Sequence, residues 1–151
     1  MTQSIEEVRF VVWGDPVPQG SMVGLRSKTT GVIFVKPSNE RELKLWRKEI
    51  ATAAGRAMAG REPLRVPLRV LILAALHPPA AAAKRVYPDE KPDGDKLMRA
   101  VLDGLTGIVV DDDKRFVDKQ IRKRYAGRPG SLPQPGVRVI VSPMPVDPLA
   151  T

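Results

Sequence analysis

The sequence predicts an α+β fold: a single domain with two main helices packed on a mixed β-sheet, in the order β-α-β-α-β-β-β. Three observations predict it. Two stretches repeat apolar residues at helical spacing, Leu43, Trp46, Ile50 and Ala54 in one, and Leu97, Met98, Val101, Leu102 and Leu105 in the other. Short runs rich in β-branched and aromatic residues lie before, between and after them. Connections are mostly short, with no internal repeat and no dividing linker, so the 151 residues fit one domain with its own core. The domain is expected to span residues 1–143, leaving 144–151 as a disordered tail.

The elements follow in order. Residues 7–13, EVRFVVW, read as a first strand closed by the Gly14-Asp15-Pro16 turn. The segment PVPQGSMVGLRSKTTGVIFV reads as a mobile basic loop with a short hairpin at its end. Ser38 or Asn39 then caps a helix over 39 to about 59, with Glu42 completing a capping box and Gly60 ending it. Residues 64–76 form a central strand whose start Pro67 limits. The proline-rich stretch 77–92 is a loop, and Asp95 caps a second helix that ends near Gly107. Residues 108–110 make a short strand, 116–125 a longer one with a basic outer face, and 137–141 the last.

Composition narrows the function classes. No apolar run reaches the ~18 residues of a membrane-spanning helix. The start, MTQSIEEVRFVVWG, carries two glutamates where a signal peptide carries basic residues, so a cytoplasmic protein is expected. Without cysteine there is no disulfide and no thiolate metal site. A formal net charge of +8 either attracts a polyanion, through release of counterions from a phosphate backbone, or merely solvates the surface.

Against that charge, six of the 17 acidic residues crowd into residues 93–113: Asp93, Asp95, Asp103, Asp111, Asp112 and Asp113. Asp93 and Asp95 flank a glycine at the start of a helix, and Arg99 and Asp103 follow at four-residue steps. If the Asp111–Asp113 run returns beside them, three or four carboxylates share a pocket. Such hard oxygen donors suit Mg²⁺ or Mn²⁺ and phosphodiester hydrolysis. The plainer reading is a turn, a helix cap and an exposed acidic loop. An EF-hand fails on register, because Met98 and Gly104 stand where its glycine and bidentate glutamate belong. His77, the one histidine, reads as an incidental loop residue.

The run PDGDKLMRAVLDGLTGIVVDDDKRFVDKQIRK resembles the RusA family of Holliday junction resolvases, common in phages and prophages. That family's pattern is Asp-x-Asp-Asn-x-x-Lys, an Asp-Ala-Leu on the same helix, then Asp-Asp-x-x-Val and a downstream lysine. WGDPVPQGSM and SNERELKLWRKEI also resemble its N-terminal half, so the likeness extends over roughly residues 8–142. By that resemblance Asp93, Asp95 and Asp113 match the catalytic acids, Asp112 their neighbour, Asp103 the helix aspartate and Lys123 the downstream lysine. Lys96 replaces the family's asparagine and Arg99 its lysine; a guanidinium keeps the positive charge but does not give up a proton.

The resemblance implies an endonuclease that resolves four-way DNA junctions with Mg²⁺, for which Mn²⁺ substitutes. Asp93, Asp95 and Asp113 hold the metal, Asp112 adds a further ligand, Arg99 meets the scissile phosphate or orients an acid, and Asp103 fixes Arg99. Lys96, Arg26, Lys28, Lys36, Lys119, Arg122 and Lys123 are expected to contact DNA. Cutting two symmetry-related strands implies a C₂ homodimer, working in bacterial or phage-infected cytoplasm. Two other readings use the same residues: a basic nucleic-acid-binding protein without activity, and a nuclease of flaps or other branched DNA.

Overall fold

The computed structural model describes residues 7–82 and 84–146. Strand β1 (Val8–Trp13) precedes a ribbon of β2 (Met22–Arg26) and β3 (Ile33–Pro37). Helix α1 (Glu40–Met58), strand β4 (Leu68–Leu76), helix α2 (Gly94–Leu105), and strands β5 (Phe116–Tyr125) and β6 (Gly136–Pro143) follow. Single 3₁₀ turns stand at Ala80–Ala82 and Asp113–Arg115. The fold is α+β with two helices and a mixed sheet, as expected. The hairpin foreseen at the end of the basic loop forms a separate two-stranded sheet. Residues 108–110 form no ladder: Val110 makes isolated bridges to Leu64 and Thr106.

The main sheet has the order β1-β6-β4-β5, with β4 and β5 parallel and the other pairs antiparallel. A parallel pair cannot be joined by a tight turn, so α2 serves as the crossover between β4 and β5. The predicted acidic segment is therefore the crossover itself. Both helices cover one sheet face. There Leu43, Trp46, Ile50, Ala54 and Met58 of α1, and Leu97, Val101, Leu102 and Leu105 of α2, meet Val70, Ile72, Val137 and Val139 of the sheet in one buried cluster. Met98, expected in that apolar arc, is only partly buried.

Two glycines set how closely the layers approach. A Cβ on Gly104 would stand 2.8 Å from Cγ2 of Ile50 and 3.3 Å from the Arg47 carbonyl, so only glycine allows α1 and α2 to cross there. A Cβ on Gly94 would stand 3.3 Å from Cγ2 of Ile121, so the gap between Asp93 and Asp95 is where α2 settles on β5. The strand expected from residue 64 begins at Leu68, because Pro67 has no N–H for the ladder and its carbonyl instead accepts from Met144. Of the predicted tail, residues 147–151 lie outside the described residues.

Candidate active site

The site grows from the first turn of α2. Asp93, not Asp95, is the N-cap: its backbone is extended, and its carbonyl accepts from Leu97 N at 3.1 Å. The Asp93 carboxylate makes no capping hydrogen bond, and Asp95 lies within the first turn. Both carboxylates therefore sit at the positive end of the helix dipole. The chain leading into Asp93 is anchored by Lys123 of β5, whose ammonium donates at 2.8 Å to the carbonyls of both Glu90 and Pro92.

Asp95, Lys96 and Arg99 form one wall of a cleft of about 350 Å³, and Gln19, Gly20, Ser21 and Met22 form the other. The second wall is held by backbone and amide contacts. Gln19 N donates to the Lys96 carbonyl at 3.1 Å. The Asn39 side chain does not cap α1. It accepts from Gly20 N at 2.7 Å and donates to the Pro18 carbonyl at 2.8 Å. The capping box read from Asn39 and Glu42 is thus replaced by a clamp that fixes the loop against the cleft. A Cβ on Gly20 would collide with the Asn39 amide and with Oγ of Ser38, so the clamp requires glycine there. Among the described residues, Gln19 also keeps its Oε1 buried without a hydrogen-bond partner.

The aspartates separate into two groups. Arg99 reaches Oδ2 of Asp113 at 3.3 Å, which ties the turn before β5 to the helix that carries Asp95. Asp103, expected to fix Arg99, instead bonds Arg47 of α1 at 2.7 Å. The reason is helical geometry. Each four-residue step drifts about 40° around the axis, so Asp103 sits about 80° from Asp95 and faces α1. Asp111 is bound on both oxygens by Arg115, at 3.0 and 3.1 Å, and those bonds hold its carboxyl below the usual carboxylate range despite some desolvation. Asp112 accepts from Lys114 N at 2.9 Å and caps the 3₁₀ turn. Thus Asp103, Asp111 and one oxygen of Asp112 are taken up by Arg47, Arg115 and Lys114 N, and Asp113 meets Arg99. Among the described residues the carboxylates of Asp93 and Asp95 accept no hydrogen bond.

The donor set fits a hard cation in kind: carboxylate oxygens, with no histidine or cysteine beside them. In position it is less complete. Among the described residues no three acidic or histidine side chains already stand together as a metal-holding group, and Asp113 is turned to Arg99.

The predicted DNA contacts divide in the same way. Lys96 lines the cleft, while Arg26 and Lys28 belong to the exposed ribbon. Lys36 pairs with Glu40 at 3.3 Å. Lys119 and Arg122 fall on opposite faces of β5, because Lys119 pairs in register with Val70 and Arg122 with Leu73. Arg122 therefore points away from the helices and the cleft. Lys123 is occupied by the two carbonyls before Asp93. Residue spacing did not reveal Gln19 and Asn39 as parts of the site; WGDPVPQGSM pointed to that stretch only through family likeness.

A family model described as endodeoxyribonuclease RusA matches residues 14–132. The chain belongs to this family. The match takes in both cleft walls, the ribbon and every aspartate considered above. The protein is accordingly an endodeoxyribonuclease of the metal-dependent type that resolves Holliday junctions. No curated protein matches the chain significantly.

Proposed function

We propose that this RusA-family nuclease resolves four-way junctions by paired phosphodiester hydrolysis, using Mg²⁺ held by Asp93, Asp95 and Asp113. One observation carries the reading: Arg99, from the cleft wall that bears Asp95, bonds Asp113 from the far end of the crossover. Residues 14 positions apart in the chain are thereby neighbours beside a cleft large enough for a phosphodiester. Bound there, Mg²⁺, or Mn²⁺ in its place, supplies a Lewis acid that lowers the pKa of water and offsets charge on the phosphate.

The chain's own residues do the rest. Arg99 neutralises Asp113 while no DNA is present, then turns its fixed fork of donors to the phosphate oxygens. A guanidinium does not release a proton, so Arg99 acts through charge and hydrogen bonds and not as the acid for the leaving oxygen. Lys96 adds a cation to the same wall. Asp112 keeps Oδ2 for a further ligand role beside Asp113. Lys123 and Gly94 place Asp93 and Asp95, and the Asn39 clamp fixes the opposite wall. Because a junction presents two symmetry-related strands, two such sites in a C₂ dimer cut it evenly. The setting is the cytoplasm, where branched DNA is met.

The test is a nicking assay on synthetic mobile and fixed junctions, flaps and linear duplex, with Mg²⁺ or with chelator. The reading expects symmetric, Mg²⁺-dependent nicks in junctions and loss of cutting by orders of magnitude in Asp95→Asn, with junction binding retained. Equal cutting of junction and linear duplex overturns it.

A further inference from the structure

Of the twelve large hydrophobic residues exposed among the described residues, seven lie on the ribbon between Met22 and Val35. That concentration needs a reason, since a lone two-stranded hairpin is marginal in water and a grouped apolar surface marks a contact. The ribbon is separate from the main sheet, so none of this surface is used to close the core. Its register divides it into two faces. Met22 lies opposite Pro37, Gly24 opposite Val35 and Arg26 opposite Ile33, and these six share one face.

That face has a direction. Met22 is at once the first residue of β2 and part of the cleft wall across from Asp95 and Arg99. The apolar stripe therefore runs outward from the cleft, through Val35 (60% exposed) to Ile33 (67% exposed). Gly24, next to Val35, has nothing within 4 Å of a Cβ built on it, so the backbone lies bare along the stripe. Flat groups approach closest at such a place. Arg26 ends the stripe and Lys28 follows in the tip, and among the described residues no ion pair holds either of them. Between Asp15 and Glu40 the sequence has no carboxylate at all.

We infer that the β2–β3 ribbon is a hydrophobic wedge for DNA, its stripe of Met22, Val35 and Ile33 packing against bases unstacked at a branch point while Arg26 and Lys28 hold the adjoining phosphates. The inference rests on the proposed junction substrate and adds how that substrate differs from duplex. A branch point exposes apolar base faces that continuous duplex keeps stacked, and proteins open base steps with such side chains. The charge is right for nucleic acid: the ribbon carries cations and no acids. A second copy of this chain would bring the same cations to the same face, which disfavours self-association through it.

The test places 2-aminopurine beside the branch of a four-way junction and titrates it with full-length protein, chelator present, to saturation. Fluorescence is expected to rise on binding, as the reporter base loses its stacking neighbour. Ile33→Thr with Val35→Thr keeps β-branched residues in the strand while weakening the apolar stripe, and is expected to lose most of that rise at saturation. An undiminished rise in the double variant overturns the inference. So does a change in its sedimentation mass, which would place the stripe in a contact between copies. If wild type with Mg²⁺ does not cut the junction, the proposed function fails instead; cutting without any fluorescence rise sinks the wedge alone.

Discussion

Lys123→Met separates two roles for one cation. In the structure its ammonium donates to the carbonyls of Glu90 and Pro92, the first bond exposed and the second partly buried. Removing the charge while keeping the aliphatic stem leaves both carbonyls to water. Each bond contributes roughly 1 kcal/mol net, and solvent exposure at Glu90 lowers the sum, so the loss is ~1–2 kcal/mol. For a chain of this size that corresponds to a fall in Tm of roughly 2–8 °C. Cleavage should fall as well, because the lead-in to Asp93 is freed, whereas the salt dependence of DNA binding should not change. A phosphate-tracking lysine behaves oppositely, with Tm unchanged and the slope of log K against log [salt] reduced by about one. Circular dichroism melts and binding titrations over a salt series give both numbers. An unchanged Tm with the reduced slope would refute the anchoring role.

Asp103→Asn should cost about 0.5–1 kcal/mol of stability, since its partner Arg47 is partly exposed, and leave cleavage nearly intact; a large loss of cleavage at full stability would restore Asp103 as the residue that positions Arg99. Asp111 has its carboxyl held low by Arg115, so the stability it contributes is present at neutral pH and disappears as pH falls through its depressed folded value. Denaturant melts of wild type and Asp111→Asn should therefore differ near neutrality and converge below the usual carboxylate range. Gly104→Ala should destabilise by about 1–3 kcal/mol despite the better helix propensity of alanine, because the new methyl meets Ile50, and a denaturant midpoint above wild type would contradict the packing argument.

Where hydrophobic period and burial agree, the sequence was legible. Leu43, Trp46, Ile50 and Ala54 mark α1 because that stripe is what the sheet buries, and residues 116–125 alternate because β5 has two different faces. The acidic segment was legible as a helix start followed by a run that returns beside it. Its role as the crossover between β4 and β5 was not, because that depends on a parallel pairing no local pattern marks. Partner choice was not legible either. Asp103 and Arg99 are four apart on one helix, yet helical drift delivers Asp103 to Arg47, a residue 56 positions away. Asn39 carried every local mark of a helix cap, and a tertiary contact took its amide for Gly20 and Pro18. Lys123 read as a DNA-contacting cation, singled out only by likeness to the family's downstream lysine, because nothing local shows that two carbonyls would converge on it. The ribbon read as a basic loop with only a short hairpin at its end, since its cations are more conspicuous than the register that aligns Met22, Val35 and Ile33.

The account stands on Asp93, Asp95 and Asp113 forming one site for a hard divalent ion, and Mn²⁺ binding followed by electron paramagnetic resonance tests that most directly. Wild type should bind Mn²⁺, with Mg²⁺ competing, and Asp93→Asn, Asp95→Asn and Asp113→Asn should each weaken the same binding event. Affinity unchanged by all three substitutions would contradict it.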